Sequence, residues 1–192
     1  MKTALVFGSS GGIGSAVTAA LPAAGYNVVA VPRTQLDLAE DSPEITKIAK
    51  MHSVLSTADP DAVIFCAGVL HGSFSQVFDV NVASCWHIIQ YYLTTTPAKP
   101  VKILLVGSSA YASGRKNYPL YSASKAALHN LVQGCQELFA NTQVTLSLLH
   151  PSRIRSRMSE NLPVNTNELT AQQVADELIR MCSECSQITE MR

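Results

Sequence analysis

In the run "YSASK", Tyr121 and Lys125 stand four residues apart. On a helix that spacing puts both side chains on one face. A free tyrosine titrates near 10, too high for easy proton transfer at neutral pH. A neighbouring ammonium favours the phenolate and lowers that value, and a bound oxidised nicotinamide would add positive charge nearby. Upstream, "ILLVGSS" ends in Ser108 and Ser109, where a hydroxyl at a strand end can hold a carbonyl oxygen. Together these groups can give a proton to a carbonyl while a cofactor delivers hydride. A lone Y-x-x-x-K is usually an exposed helix pair. The serine-ended strand before this one, and a glycine loop near the start of the chain, weigh against that plainer reading.

The glycine loop is "GSSGGIG", with Gly8, Gly12 and Gly14 in the spacing G-x-x-x-G-x-G. An apolar run of strand length, "TALVF", precedes it, and residues with helical apolar spacing follow. Helix-start N–H groups and the helix dipole favour an anion there, and glycine lets backbone and phosphate approach closely. A tight strand-to-helix turn alone would also explain the glycines. The second strand adds discrimination. A site for NAD usually wants a carboxylate about twenty residues past the glycines, for the ribose hydroxyls. Here "VVAVPRTQLDL" puts Arg33 at the strand end. A cation there suits the 2′-phosphate of NADP(H), while a solvated arginine is the alternative. Asp37 comes slightly later than a ribose-binding carboxylate should.

The elements that must position these residues read as alternating strands and helices. The expected strands are Ala4 to Phe7, Asn27 to Val31, Ala62 to Cys66, Lys102 to Val106 and Val144 to Leu149, with a last one from Ile188. Helices are expected to begin near Ile13, Pro43, Asn81, Tyr121 and Ala171. "ALVF", "VVAV", "AVIF" and "ILLV" are apolar throughout rather than alternating. That marks strands covered on both faces, hence an α/β chain with a parallel sheet between helical layers. Ligands of such sheets bind beyond the carboxyl ends of the strands, where the strand order reverses.

Composition sets the outer bounds. The 192 residues are 47% hydrophobic with zero formal net charge. One domain, residues 1–192, is expected, with no electrostatic case for nucleic acid. No apolar run of spanning length appears, so no membrane partner is expected. Lys2 and the apolar residues after it mimic a signal peptide, but the glycines interrupt that pattern and "LVFG" serves better as a first strand. A cytoplasmic location with five reduced cysteines follows. Cys182 and Cys185 form C-x-x-C at a helix end without matching further ligands, so no metal is expected.

On these residues the chain resembles the short-chain dehydrogenase/reductase family over nearly its whole length. Gly8, Gly12 and Gly14 match the family's cofactor glycines. "CAG" at Cys66 to Gly68 is similar to its N-A-G turn, with Cys66 replacing the asparagine. Asn81 in "VNVAS" matches its helix-borne asparagine, and "YSASK" its Y-x-x-x-K. The family serine precedes the tyrosine by thirteen residues, which selects Ser108 over Ser109. The resemblance implies a Rossmann-type doubly wound parallel sheet of seven strands and reversible carbonyl/alcohol oxidoreduction. It implies Tyr121 as acid/base, Ser108 as carbonyl anchor, Lys125 on the ribose and Asn81 in a proton relay. Implied cofactor contacts are Gly8, Ser10, Gly12, Ile13, Gly14, Arg33, Asp37, Leu38, Ala67, Gly68, Tyr121 and Lys125. "HPSRIRSRM" adds Ile154 and Ser156 near the carboxamide. NADP(H) is the preferred cofactor, with NAD(H) the alternative.

The departures are compressions. Twelve residues separate Gly68 from Asn81, and little beyond "LDL" remains for a strand between the second and fourth of the family's strands. Relatives pair through the helices that begin here near Asn81 and Tyr121, so a homodimer or homotetramer acting on a small carbonyl or alcohol is expected. The competing function is a non-catalytic NADP(H)-binding sensor or interaction module. A sensor has no need of a tuned tyrosine.

Overall fold

A computed structural model describes residues 1–40, 42–155, 168–185 and 187–191. The chain runs β1 (Lys2–Phe7), α1 (Gly12–Ala20), β2 (Tyr26–Val31), α2 (Glu44–Ala58) and β3 (Ala62–Phe65). It continues with α3 (Phe74–Phe78), α4 (Ser84–Thr94), β4 (Val101–Val106), α5 (Pro119–Leu138), β5 (Val144–Pro151), α6 (Ala171–Met181) and β6 (Ile188–Met191). A π turn at Asp79–Ala83 joins α3 to α4, and a 3-10 turn at Ser109–Ala112 follows β4. The strands form one sheet in the order β2-β1-β3-β4-β5-β6, and every pairing is parallel.

The uniformly apolar strands are explained by two cores. Successive side chains point to opposite faces of a sheet. Leu5, Phe7, Val63, Phe65, Ile103, Leu105 and Leu148 therefore pack on one face, against Met51 and Leu55 of α2, Ile88 and Ile89 of α4, and Leu128 and Val132 of α5. Ala4, Val6, Ala62, Ile64, Leu104 and Leu149 pack on the other, against Val17 of α1 and Val174, Leu178 and Met181 of α6. A strand that must satisfy both layers has no polar alternate positions left.

Seven strands are expected, and the described residues form six. Leu36 and Leu38 of "LDL" are buried in the first core but pair with no strand. The connection from β2 to α2 is so short that its apolar residues anchor a loop instead of adding a ladder at the sheet edge. Cys66 lies just past β3, and the helix expected near Asn81 instead begins at Phe74 and passes through the π turn. In that turn the Asp79 carbonyl accepts from the Ser84 N–H and, at 2.8 Å, from the Ser84 hydroxyl. The wider turn carries Asn81 to a fully buried position. Such turns recur at functional sites because they redirect one side chain without ending the helix.

Ile64, fully buried in β3, tests the second core. Ile64→Ala should lower unfolding free energy by about 2–5 kcal/mol. Urea unfolding followed by circular dichroism measures it, and an unchanged midpoint would contradict this packing.

Candidate active site

Because β1 pairs with β2 on one side and β3 on the other, the chain leaves its carboxyl end where the two halves of the sheet diverge. A cleft of about 1170 Å³ opens there, walled by the ends of β1, β3, β4 and β5. One lobe holds the glycine loop. Gly8 has a φ of 74°, and a Cβ on it would lie 2.6 Å from the Ala67 nitrogen. Only glycine combines that left-handed backbone with that approach. Gly11 caps α1 with no side-chain acceptor, so the first-turn N–H groups remain available to an anion. Ser10, Gly12 and Ile13 line the cleft. Gly14 does not. It sits behind the loop, where a Cβ would lie 2.2 Å from the Gly8 carbonyl oxygen. Its lack of a side chain lets α1 pack against the end of β1.

Arg33, Leu36, Asp37 and Leu38 bound the same lobe. The Arg33 Nε lies 2.9 Å from Asp37 Oδ2, and Asp37 Oδ1 accepts the Ala39 N–H at 3.0 Å. Asp37 thus holds the guanidinium across the mouth of the lobe. The pair is exposed enough to contribute only about 0–1 kcal/mol to stability.

The other lobe gathers Ser108, Tyr121 and Lys125. Ser108 lies two residues past β4, and its hydroxyl accepts the Ala110 N–H, capping the 3-10 turn. Tyr121 lies in the first turn of α5, opened by Pro119, and its ring meets that of Tyr118 edge-on at 5.8 Å. One turn on, Lys125 is buried, with its Nζ 5.7 Å from the centre of the Tyr121 ring and donating to the Val106 carbonyl at 2.8 Å. The electrostatics depart from the expectation that Lys125 lowers the Tyr121 pKa. Burial pushes the tyrosine above its ordinary value, and a hydrogen bond from the Ser108 hydroxyl offsets part of that rise. Burial also brings Lys125 down to about 8. The nearby Cys66 and Cys85 thiols are pushed up to about 12 and stay neutral.

Asn81 stands behind this wall rather than on it. Its Oδ1 accepts the Val69 N–H at 2.9 Å, and its Nδ2 donates to the Val69 carbonyl at 2.9 Å and to Ser124 Oγ at 3.0 Å. The Ser124 hydroxyl in turn donates to the Tyr121 carbonyl at 2.8 Å. Asn81 therefore ties the loop after β3 to the start of α5. Ala67, Gly68 and Ile154 line the cleft as expected, and Ser109 lines it beside Ser108. Ser156 lies outside the described residues. Sequence reasoning missed Arg115, Tyr118 and Arg153 on the wall. Tyr118 and Arg115 sit within "GRKNYPLY", where closeness to Tyr121 was the available signal.

The sheet order places the glycine lobe and the tyrosine–lysine–serine lobe in one cleft of a parallel α/β chain. The family model described as short chain dehydrogenase matches residues 60–167, more than half of the sequence, and the chain belongs to that family. It is 28% identical to the PIGF/3-ketodihydrosphingosine reductase fusion protein of Schizosaccharomyces pombe, over 96% of this chain and 44% of that protein. It is also 28% identical to the short chain dehydrogenase/reductase AacuD of Aspergillus aculeatus, over 78% of this chain and 63% of that one. The chain thus spans less than two thirds of the length of these curated relatives. A Burkholderia cenocepacia short chain dehydrogenase solved in complex with NADP superposes with a TM-score of 0.83 at 20% identity, covering 100% of this chain and 88% of that one. The 3-alpha-hydroxysteroid dehydrogenase of Pseudomonas sp. B-0831, complexed with NADH, also gives 0.83, at 16% identity, covering 98% and 94%. At these identities the likeness concerns the fold.

The buried lysine gives a pH signature. Its pKa is near 10.5 when unfolded and about 8 when folded, so the unfolded chain binds more protons between those values. Stability of the ligand-free protein should rise with pH through that window, and fall back as pH drops towards 8. Lys125→Met should abolish this rise and raise the urea midpoint at pH 7. A midpoint below that of the unmodified protein would show that the lost bond to Val106 outweighs the burial.

Proposed function

We propose that the chain is an NADP(H)-dependent oxidoreductase that interconverts a carbonyl and an alcohol on a small molecule, with Tyr121 as the acid/base. The observation that carries this reading is the convergence of Ser108, Tyr121 and Lys125 on one wall of the cleft whose other lobe is the glycine loop. The lobe fits a dinucleotide. The space where Gly8 would carry a Cβ is closed by backbone, the helix start offers free N–H groups, and Arg33 supplies a cation. Gly8, Ser10, Gly12 and Ile13 would hold the pyrophosphate, Arg33 and Asp37 the adenosine end, and Ala67, Gly68 and Ile154 the nicotinamide side. When bound, the cofactor supplies or accepts the hydride.

The chain's own groups handle the proton. Tyr121, kept protonated by burial, gives its proton to the carbonyl oxygen as negative charge develops there. Ser108 donates a hydrogen bond to the same oxygen, which stabilises that charge most in the transition state. Lys125 adds a fixed positive charge beside the phenolate that Tyr121 becomes, and its ammonium is oriented by Val106. Asn81 holds the Val69 loop and, through Ser124, the turn carrying Tyr121. Carbonyl reduction is favoured at neutral pH, because the proton is already on the acid. The reading extends to a cytoplasmic homodimer or homotetramer joined through α4 and α5, supported by exposed Ala123 and Ala126 on α5 and the exposed Leu138 near its end.

Tyr121→Phe removes only a hydroxyl. It should leave folding and NADPH binding intact while lowering turnover about 10²–10⁴-fold. NADPH oxidation against a panel of aldehydes, ketones and quinones, beside a binding titration, checks this. Full activity in the variant would sink the mechanism, and binding without turnover in the unmodified protein would favour the sensor.

NADPH should bind more tightly than NADH, since a 2′-phosphate can replace the Asp37 carboxylate as the partner of Arg33. Arg33→Asp should invert the preference, with about 1.5–3 kcal/mol at stake for a charged hydrogen bond. Equal affinities in the unmodified protein would contradict it.

A further inference from the structure

The end of β5 carries a buried group outside the reactive lobe. His150 has no exposed surface. Its Nδ1 accepts the Ser108 N–H at 3.1 Å and lies 3.0 Å from the Ser108 carbonyl oxygen. A peptide N–H can only donate, so satisfying it requires an unprotonated Nδ1 and puts the ring proton on Nε2. Nε2 lies 2.9 Å from Nδ1 of His129 on α5 and so donates to it. Tyr111 stacks on both imidazoles, with centroids 4.3 Å from His129 and 4.0 Å from His150, and its hydroxyl donates to the Glu190 carboxylate on β6. The ring also fits against Gly107, where a Cβ would lie 2.4 Å from Nδ1.

We propose that His150 is a positioning residue for Ser108: by accepting its N–H and filling the space beside Gly107, the ring fixes the peptide from which the Ser108 hydroxyl reaches Tyr121. The inference rests on the reading that Ser108 and Tyr121 act on a carbonyl. Protonating His150 would place an N–H against the Ser108 N–H, which would lose its acceptor, while the ring would donate to the Ser108 carbonyl 3.0 Å away. The groups that face the ring are His129 and Lys125 from α5, Tyr111 from the 3-10 turn, Ser108 from its N-cap and Glu190 from β6. Burial and the neighbouring His129 hold His150 down at about 4, so the ring is neutral at neutral pH, and the Ser108 N–H aimed at Nδ1 selects its accepting tautomer.

The test compares His150→Leu, His150→Asn and Ser108→Ala with the unmodified protein, using NADPH and the best carbonyl of the panel. Asparagine places Oδ1 where Nδ1 stood, whereas leucine offers no acceptor. His150→Leu should lose roughly 10–100-fold in kcat, with NADPH affinity within about twofold. His150→Asn should recover most of that loss, and should lack the fall in kcat that the unmodified protein shows as His150 charges at acid pH. Nitrogen-15 spectra of the unmodified protein should show Nδ1 of His150 unprotonated at pH 7. If Ser108→Ala loses activity and His150→Leu does not, the positioning role is overturned while the catalytic reading stands. If Ser108→Ala keeps full activity, the catalytic reading fails and takes this inference with it. Should His150→Leu not fold, a proton on Nδ1 at pH 7, or an acid limb unchanged in His150→Asn, overturns the proposal.

Discussion

Hydrogen bonding of β1 to β2 on one side and to β3 on the other is the constraint from which the site follows. Each parallel strand needs a return path, and here α1, which leaves β1, packs on one face while α4 and α5, which leave β3 and β4, pack on the other. The connections must therefore separate above β1, and the chain cannot fill the gap with its own backbone. α1 begins on one side of that gap and α5 on the other. A group delivered from the end of β4 and a group delivered from the end of β1 meet across it without sharing any local sequence.

The lobe that holds Tyr121 joins an open cleft to a buried charge. Lys125 is a buried cation among two neutral thiols, a carbonyl and an aromatic face. In such surroundings a charge is poorly solvated and interacts strongly with whatever charge next arrives. The ligand-free site is consequently set for a neutral tyrosine and a reluctant ammonium. On the proposed function, negative charge developing on a bound oxygen would relieve both, which is the electrostatic sense of a site complementary to a transition state.

The strands were legible because a two-faced core leaves no polar positions in the stretches 4–7, 62–65 and 103–106, and Gly8 was legible because its backbone excludes other residues. The four-residue spacing of Tyr121 and Lys125 gave their common face. The missing strand was legible only as a shortage of residues, since Leu36 and Leu38 are equally apolar as strand or as loop anchors. The π turn was invisible, because closing a turn over five residues rather than four leaves no mark on "DVNVA". The raised Tyr121 pKa was misjudged for a different reason. Local spacing reports the lysine, while desolvation is a sum over the whole fold. His129 and His150 are likewise far apart in sequence and meet only when α5 lies against β5.

The shortened path from β2 to α2 has an effect beyond the site. Among the described residues no strand lies outside β2, so β2 is one rim of the sheet, and its outward N–H and C=O groups form a template that another extended chain could extend. The rim is only six residues long, and Pro32 follows it at once. Proline has no N–H to lend to a growing ladder. A sheet edge of this kind must be kept from pairing with another chain, and a ring-locked residue stands at its end.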